Sequence, residues 1–133
     1  MPRFRFAKLV RDNIVDQQIA SGAKPNYRLL APNEHKQELV NKIIEEAQEL
    51  SAAEPNEIAA EIADVQQAID DLRALHGLTE KDVVDMQQQK NDKNGAFNKG
   101  IYVEDVEVAE GNKWTSYYRK NADRYPEINS KDL

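Results

Sequence analysis

Two pairs of acidic residues interrupt the apolar stripes of two predicted helices, and this pattern constrains the fold more than any other. Glu46 and Glu49 form the first pair, and Glu61 and Asp64 form the second. Both pairs have i, i+3 spacing, which places two carboxylates on one face of a helix, a turn apart. Pro55 lies midway between the pairs and suits the first turn of a new helix. The sequence around Pro55 is therefore predicted to be a helical hairpin.

Folding this hairpin about its midpoint brings the two acidic pairs together. Glu46 then faces Asp64, and Glu49 faces Glu61, because both pairs are centred on residue 55. Two carboxylates about 4 Å apart repel each other by roughly 4 kcal/mol at an effective dielectric constant near 20. Four such groups at a partly buried surface need protons or cations to remain together. A solvated charged face is the alternative interpretation, but it does not explain why Glu46 and Glu61 take positions that apolar residues should occupy.

A ligand set made only of oxygen atoms predicts a hard cation. The chain has no Cys, and neither His35 nor His76 follows a Glu at the spacing of a Glu-x-x-His motif. Carboxylates alone favour Mg²⁺ or Mn²⁺ over zinc and copper. We therefore expect a magnesium site, with manganese as a possible substitute.

Length and charge narrow the class of protein further. A chain of 133 residues is long enough for one domain with its own core. Its net charge of −6 argues against nucleic acid or an anionic membrane as the main partner. We see no apolar run of transmembrane length and no signal-peptide core. The default expectation is a cytoplasmic protein, and the absence of Cys excludes a disulfide framework.

The rest of the chain up to Gly95 is predicted to complete an all-α helical bundle. In residues 1–6, Phe4 and Phe6 alternate with Arg3 and Arg5, which favours a short extended N-terminal arm. Helices are predicted at 8–20, 34–53 and 55–76, and a further helix follows the N-cap Thr79 and ends at Asn94 and Gly95.

Residues 103–133 differ from the helices before them. Trp114 and three Tyr, at 117, 118 and 125, fall within twelve residues. A loose tail is poor in such large apolar groups. We therefore expect an ordered C-terminal extension that packs on the bundle or on a partner subunit.

Several segments resemble, in their order and spacing, the MazG-like branch of the all-α nucleoside triphosphate pyrophosphohydrolases, which includes phosphoribosyl-ATP pyrophosphohydrolase. They are KLVRDNI at 8–14, PNYRLL at 25–30, IIEEAQEL at 43–50, EIADV at 61–65, HGLTEKDV at 76–83 and QKNDKNGAFNKGI at 89–101. The resemblance assigns residues 1–102 to one such domain and leaves 103–133 as an extension. The chain departs from the family at Asn13, where Lys is usual, and at Lys93 and Ala96 in a stretch often written RGGF.

The resemblance implies hydrolysis of a nucleoside triphosphate between its α and β phosphates, giving a monophosphate and pyrophosphate. It agrees with a magnesium site formed by Glu46, Glu49, Glu61 and Asp64. One carboxylate would accept the proton of the attacking water, and the sequence does not decide between Glu46 and Glu49. Glu45 points further round the helix and is expected to lie outside the ligand set.

Two basic pairs are candidates for binding the polyphosphate. Lys90 and Lys93 match basic positions of the family motif, and Lys8 and Arg11 form a second pair with the same spacing. Arg11 is the stronger candidate of the second pair, because a guanidinium group can hold a phosphate through two hydrogen bonds. For Lys8, a role in solubility is an equally good interpretation.

Two other functions remain open at this point. The chain is alternatively a catalytically inactive helical module that binds nucleotide or metal, or a structural dimerisation module. Apolar residues occur on more than one face of the long helices, such as Val40 and Ile44 beside Leu39 and Ile43. A homodimer or higher homo-oligomer is therefore expected. The base and sugar of the substrate, and a role in cleaning the nucleotide pool, are not decided by the sequence.

Overall fold

The computed structural model of the protein describes residues 1–129 and residue 131, and its regular structure is helical. The helices are α1 (Ile14–Ala20), α2 (Pro32–Ser51), α3 (Ile58–Leu75), α4 (Glu80–Asn94) and α5 (Lys113–Lys120), and a 3₁₀ turn (Pro55–Glu57) precedes α3. No strand occurs in these described residues. The predicted all-α fold class is confirmed.

The chain divides into two compact units. The first spans residues 1–94, and the second begins at Gly95. The sequence-based boundary, between residues 102 and 103, lies eight residues beyond this division. The packing of residues 103–133 on the bundle or on a partner subunit stays a prediction. Within the described residues, no helix is both long and apolar enough to cross a membrane.

Helices α2 and α3 form the packed hairpin on which the first unit is built. Pro55 acts as predicted at a helix start, since it begins the turn that leads into α3. Helix α2 begins at Pro32, two residues before the predicted start at 34. Leu39 and Ala68 are buried, with 3% and 5% of their surface exposed. Glu46 is buried as well, with 9% exposed. A carboxylate therefore belongs to the same buried surface as the apolar residues of the hairpin.

Helix α4 begins with the N-cap that the sequence predicted. The backbone N–H of Asp82 donates to the Thr79 hydroxyl oxygen at 3.1 Å. The Thr79 N–H donates in return to the Asp82 carboxylate at 2.8 Å. This reciprocal pair satisfies two backbone donors at the helix end, and it holds the pKa of Asp82 below its ordinary value.

The predicted N-terminal helix is shorter than expected, because α1 begins at Ile14 instead of Lys8. Lys8 and Arg11 lie before the helix and pair with acidic residues on two different helices of the hairpin. Leu9 and Val10 between them are half-buried. Surface ion pairs contribute little alone, so we attribute the non-helical course of this segment to the pairs and the apolar contact together.

The second unit contains α5 and an aromatic cluster formed by Trp114, Tyr117, Tyr118 and Tyr125. The Asn112 side chain accepts the backbone N–H of Trp114 at 2.9 Å and so caps α5. Within the cluster, the rings of Tyr118 and Tyr125 are 5.0 Å apart, and Trp114 stacks on Tyr118 at 6.2 Å. These are favourable distances for aromatic pairs, so this unit has an internal contact surface of its own.

Candidate metal centre

Three of the four predicted metal ligands come together on the hairpin. They are Glu46 on α2 and Glu61 and Asp64 on α3, which we call the acidic cluster. One carboxylate oxygen of each lies within 4.8 Å of the corresponding oxygens of the other two. Glu46 is buried, and Glu61 and Asp64 are half-buried. This grouping offers three oxygen ligands, which is a set that suits a hard divalent cation.

The hydrogen bonding of the acidic cluster is incomplete. The Oε2 atoms of Glu46 and Glu61 are buried, and neither has a hydrogen-bond partner among the described residues. A buried polar atom without a partner costs about 1–3 kcal/mol, and more when it is charged. Both residues belong to the group that could hold an ion, so a divalent cation fits this set of donors and would offset that cost.

The surroundings of Glu46 and Glu61 raise the pKa values of both carboxyl groups. Burial raises the pKa of Glu46 above its ordinary value, and the charges of Glu49 and Asp64 raise it further. The pKa of Glu61 is also raised, first by desolvation and then by Glu49 and Asp64. Both groups therefore favour a bound proton or a cation over an uncompensated negative charge.

Glu49, the fourth predicted ligand, is exposed and lies outside the acidic cluster. Its carboxylate is nevertheless close enough to raise the pKa of both Glu46 and Glu61. The structure thus places Glu49 beside the cluster on its solvent side. Its roles as a ligand and as the proton acceptor stay predictions.

The basic pair near the N-terminus contacts the acidic residues of the hairpin. Arg11 Nη2 lies 2.5 Å from Asp64 Oδ1, and so one cluster member is already paired with a cation. Lys8 Nζ donates to Glu45 Oε1 at 2.9 Å, and this hydrogen bond raises the pKa of Lys8 and lowers that of Glu45. Glu45 is outside the cluster, as the sequence predicted.

Lys42 is a residue of this region that the sequence analysis missed. Its side chain is only 17% exposed, and its Nζ lies 3.0 Å from Glu45 Oε2 and 3.7 Å from Glu46 Oε1. The sequence contains a signal for this role. On a helix, Lys42 precedes Glu45 by three residues and Glu46 by four, so its side chain can pair with both. Lys42 partly compensates Glu46 through Oε1 and leaves Oε2 without a partner.

The other predicted phosphate ligands are not brought to the cluster. Lys90 and Lys93 are exposed on α4. No hydrogen bond or ion pair connects either lysine with the acidic cluster in the described part of the chain. Their role in binding substrate stays a prediction from the motif.

A cavity of about 230 Å³ lies beside the acidic cluster. Glu46 and Asp64 line it, and so do the buried residues Leu39 and Ala68. Arg11 and Lys42 also line it. The arrangement thus combines a group of carboxylates, two cations and an apolar surface, which are suitable contacts for a metal-bound organic anion.

Comparison of the chain with protein-family models, with curated proteins and with solved structures found no match. The resemblance to the MazG-like enzymes is therefore supported only by the motifs given above.

Proposed function

We propose that the protein is a magnesium-dependent pyrophosphohydrolase that cleaves a nucleoside triphosphate between its α and β phosphates. The observation that carries this proposal is the incomplete hydrogen bonding at Glu46 and Glu61, whose buried oxygens belong to a group of three carboxylates. A cation that binds such a group remains able to attract further anionic oxygens. The neighbouring cations Arg11 and Lys42 favour a phosphate-bearing ligand over a neutral one.

In this proposal, Glu46, Glu61 and Asp64 hold the magnesium ion. When bound, the ion would neutralise negative charge on the phosphate oxygens as it develops. Glu49 is the better candidate for the proton acceptor, because it is exposed beside the cluster whereas Glu46 is buried within it. Water attacks one of the two phosphorus atoms joined by the oxygen between the α and β phosphates, and the bond between that phosphorus and the bridging oxygen breaks. Glu49 takes the proton released by the water.

Arg11 and Lys8 are proposed to bind the phosphates of the substrate. Both are exposed enough to change partners, with 60% and 46% of their side-chain surface accessible. Arg11 would exchange part of its contact with Asp64 for a phosphate oxygen, because the guanidinium group has several donors. Lys90 and Lys93 keep the same proposed role from the motif alone.

A second copy of the chain is proposed as the protein partner. The hairpin exposes large apolar side chains on its outer faces, including Ile44 on α2 and Ile62 and Ile69 on α3, with 53%, 42% and 43% of their surface accessible. Large exposed apolar side chains mark interaction sites in many proteins when they form a patch. Light scattering should give a mass at least twice the 15.2 kDa of one chain. A particle of one chain at micromolar concentration would contradict the proposal.

The activity is tested with a panel of nucleoside and deoxynucleoside triphosphates, ordinary and modified, in the presence of Mg²⁺. Release of pyrophosphate, with no orthophosphate, is the expected result. Binding of nucleotide without turnover would favour the inactive binding module, and the absence of any magnesium effect on stability would favour the structural module. Under our proposal, the enzyme acts in the cytoplasm and removes unwanted nucleotides from the pool.

A further inference from the structure

Asn94 differs from every other asparagine of the chain in the residue that follows it. Of the eleven Asn residues, only Asn94 precedes a Gly. Glycine has no side chain to shield its backbone nitrogen, and its backbone is the least restricted of all residues. The nitrogen of Gly95 can therefore approach the side-chain carbon of Asn94 more readily than the nitrogen that follows any other asparagine here.

The structure places this pair where the backbone can rearrange. Asn94 is the last residue of α4, Gly95 begins the irregular segment after it, and both are exposed. Helix α4 gains little support from packing, because each of its residues except Asn91 is exposed. The end of such a helix opens at almost no cost in free energy. A Cβ atom added at Gly95 would meet no atom within 4 Å beyond its chain neighbours, so there is room for the movement.

Several other asparagines are held by hydrogen bonds as well as lacking the glycine. The side-chain oxygen of Asn112 caps α5, and the carboxamide of Asn121 donates to a backbone carbonyl at 2.9 Å. No hydrogen bond holds the carboxamide of Asn94 in the part of the chain that the structure describes. Asn98 is exposed in the same irregular segment, but a Lys follows it. Asn94 thus combines exposure, a free carboxamide and an unhindered neighbouring nitrogen.

We propose that Asn94 is a site of spontaneous covalent modification, at which its carboxamide is converted to isoaspartate and, in smaller part, to aspartate. The Gly95 nitrogen bonds to Cγ of Asn94, the bond from Cγ to the amide nitrogen breaks, and ammonia leaves with the proton of the Gly95 N–H. Water then opens the cyclic imide. Opening at the backbone carbonyl of Asn94 gives isoaspartate, and opening at Cγ gives aspartate. The reaction needs no enzyme or nucleotide, so it is independent of the proposed function.

The modification would change both the charge and the backbone between the two units. The first unit ends at Asn94, and the second begins at Gly95. Isoaspartate adds one carbon to the backbone at this point and a carboxylate at the C-terminal end of α4. A negative charge is unfavourable there, because the C-terminal end of a helix is itself negative. We therefore expect the last turn of α4 to open more often, while the hairpin of α2 and α3 is unaffected.

The test is incubation of the full chain at physiological temperature and mildly alkaline pH, followed by ion-exchange chromatography and peptide mapping by mass spectrometry. A form one charge more negative than the original −6 should accumulate. Its peptide around Asn94 should gain the mass of an OH in place of an NH₂ and accept a methyl group from an isoaspartyl methyltransferase, used as a reagent. Amide hydrogen exchange in this form should be faster in the last turn of α4 alone.

Two exposed positions provide matched variants. Asn94→Gln should lose the acidic form, because the longer side chain forms a cyclic imide far more slowly. Asn98→Gln makes the same change four residues away and should accumulate the form at the natural rate. Conversion of Asn94 in the denatured chain but not in the folded chain would overturn the proposal, since the end of α4 would then protect the residue. Equal conversion at Asn94 and Asn98, or an acidic form that persists in Asn94→Gln, would also overturn it.

Discussion

The first unit buries a carboxylate in its helical hairpin, whereas the second unit contains an aromatic cluster and keeps the ion pairs of Arg119 exposed. In the hairpin, Glu46 is buried, and its Oε2 has no partner among the described residues. In the second unit, Arg119 is paired with Glu110 at 3.2 Å and with Glu127 at 2.9 Å. Both acids lie within the same unit, so Arg119 finds its partners there.

From this difference we expect the stability of the first unit, and not that of the second, to respond to bound protons or cations. In the acidic cluster, the Oε2 atoms of Glu46 and Glu61 have no hydrogen-bond partner among the described residues, and Arg11 and Lys42 compensate the negative charge only in part. A proton or a metal ion would relieve both deficits. The aromatic cluster is stabilised by ring contacts, which respond to neither pH nor divalent ions. Addition of metal, a change of pH and substitution of the carboxylates should therefore change the stability of the first unit. Substitution of aromatic residues should change the stability of the second.

The largest effect is expected for the activity of Glu46→Gln. Loss of one buried ligand should reduce pyrophosphate release by at least about 100-fold, a magnitude typical when one electrostatic contact to a developing charge is removed. The helix content, measured by circular dichroism, should not change. Glu45→Gln is the control, because Glu45 is adjacent but lies outside the cluster. Activity retained in Glu46→Gln and lost in Glu45→Gln would mean that we have misidentified the ligands.

The effect of metal on stability comes next. Magnesium at 100 times its dissociation constant should raise the free energy of unfolding by about 2.7 kcal/mol, because it binds the folded state alone. Denaturant titrations with EDTA and with Mg²⁺ measure this difference. In EDTA, Glu46→Gln should be more stable than the natural chain by about 1 kcal/mol, since it removes a buried negative charge. Identical curves with EDTA and with Mg²⁺ would argue against a metal site.

The sequence predicted the acidic cluster well because it depends on helix geometry and on the position of one proline. The centring of both acidic pairs on Pro55 placed Glu46 opposite Asp64, and these residues do lie in one group with Glu61. Glu49 lies outside the group, and its side chain is exposed. Spacing along a helix defines which face a residue occupies, but it does not determine how deeply that residue is buried.

Contacts between distant segments were harder to predict. The segment from Lys8 to Asn13 has a helical apolar pattern, yet it is not helical, and its cations reach Glu45 and Asp64, 37 and 53 residues further along the chain. A periodic pattern carries no information about such partners. The cavity beside the acidic cluster was missed for the same reason, because it depends on which residues of α2, α3 and the N-terminal segment lie across from one another.

A moderate effect is expected for Trp114→Ala, which tests the second unit. Trp114 contacts Tyr117 and Tyr118, and 46% of its surface is exposed. Truncation of a fully buried Trp costs about 3–5 kcal/mol, so we expect about 1–2 kcal/mol at this half-exposed position. Near-ultraviolet circular dichroism should lose intensity, and pyrophosphate release should remain. Tyr102→Ala is the control, because Tyr102 is 82% exposed; an equal loss of stability in both variants would contradict a specific contribution of the cluster.

The smallest effect concerns pH. The pKa of Glu46 and of Glu61 is raised in the folded state above the ordinary value of 4.5. A folded state with raised carboxyl pKa values binds more protons than the unfolded chain, so this contribution is fully present below pH 4.5 and is lost as the pH rises through the raised values. Glu45 acts in the opposite direction, because its hydrogen bond with Lys8 lowers its pKa, and its contribution is lost only as the pH falls below 4.5.

These two windows do not overlap, so they can be measured separately. In EDTA, the free energy of unfolding should decrease as the pH rises from 4.5 towards neutrality, and the double variant Glu46→Gln, Glu61→Gln should remove that slope. Lys8→Gln should act mainly on the more acidic window, because its hydrogen bond is with Glu45, and should change this slope less, because its attraction to Glu46 is weaker. In the natural chain, Mg²⁺ should reduce the decrease of the free energy of unfolding between pH 4.5 and neutrality, since a bound cation replaces the protons. A slope that persists in the double variant would show that other groups titrate with folding, and the electrostatic contrast between the two units would then no longer be explained by the acidic cluster.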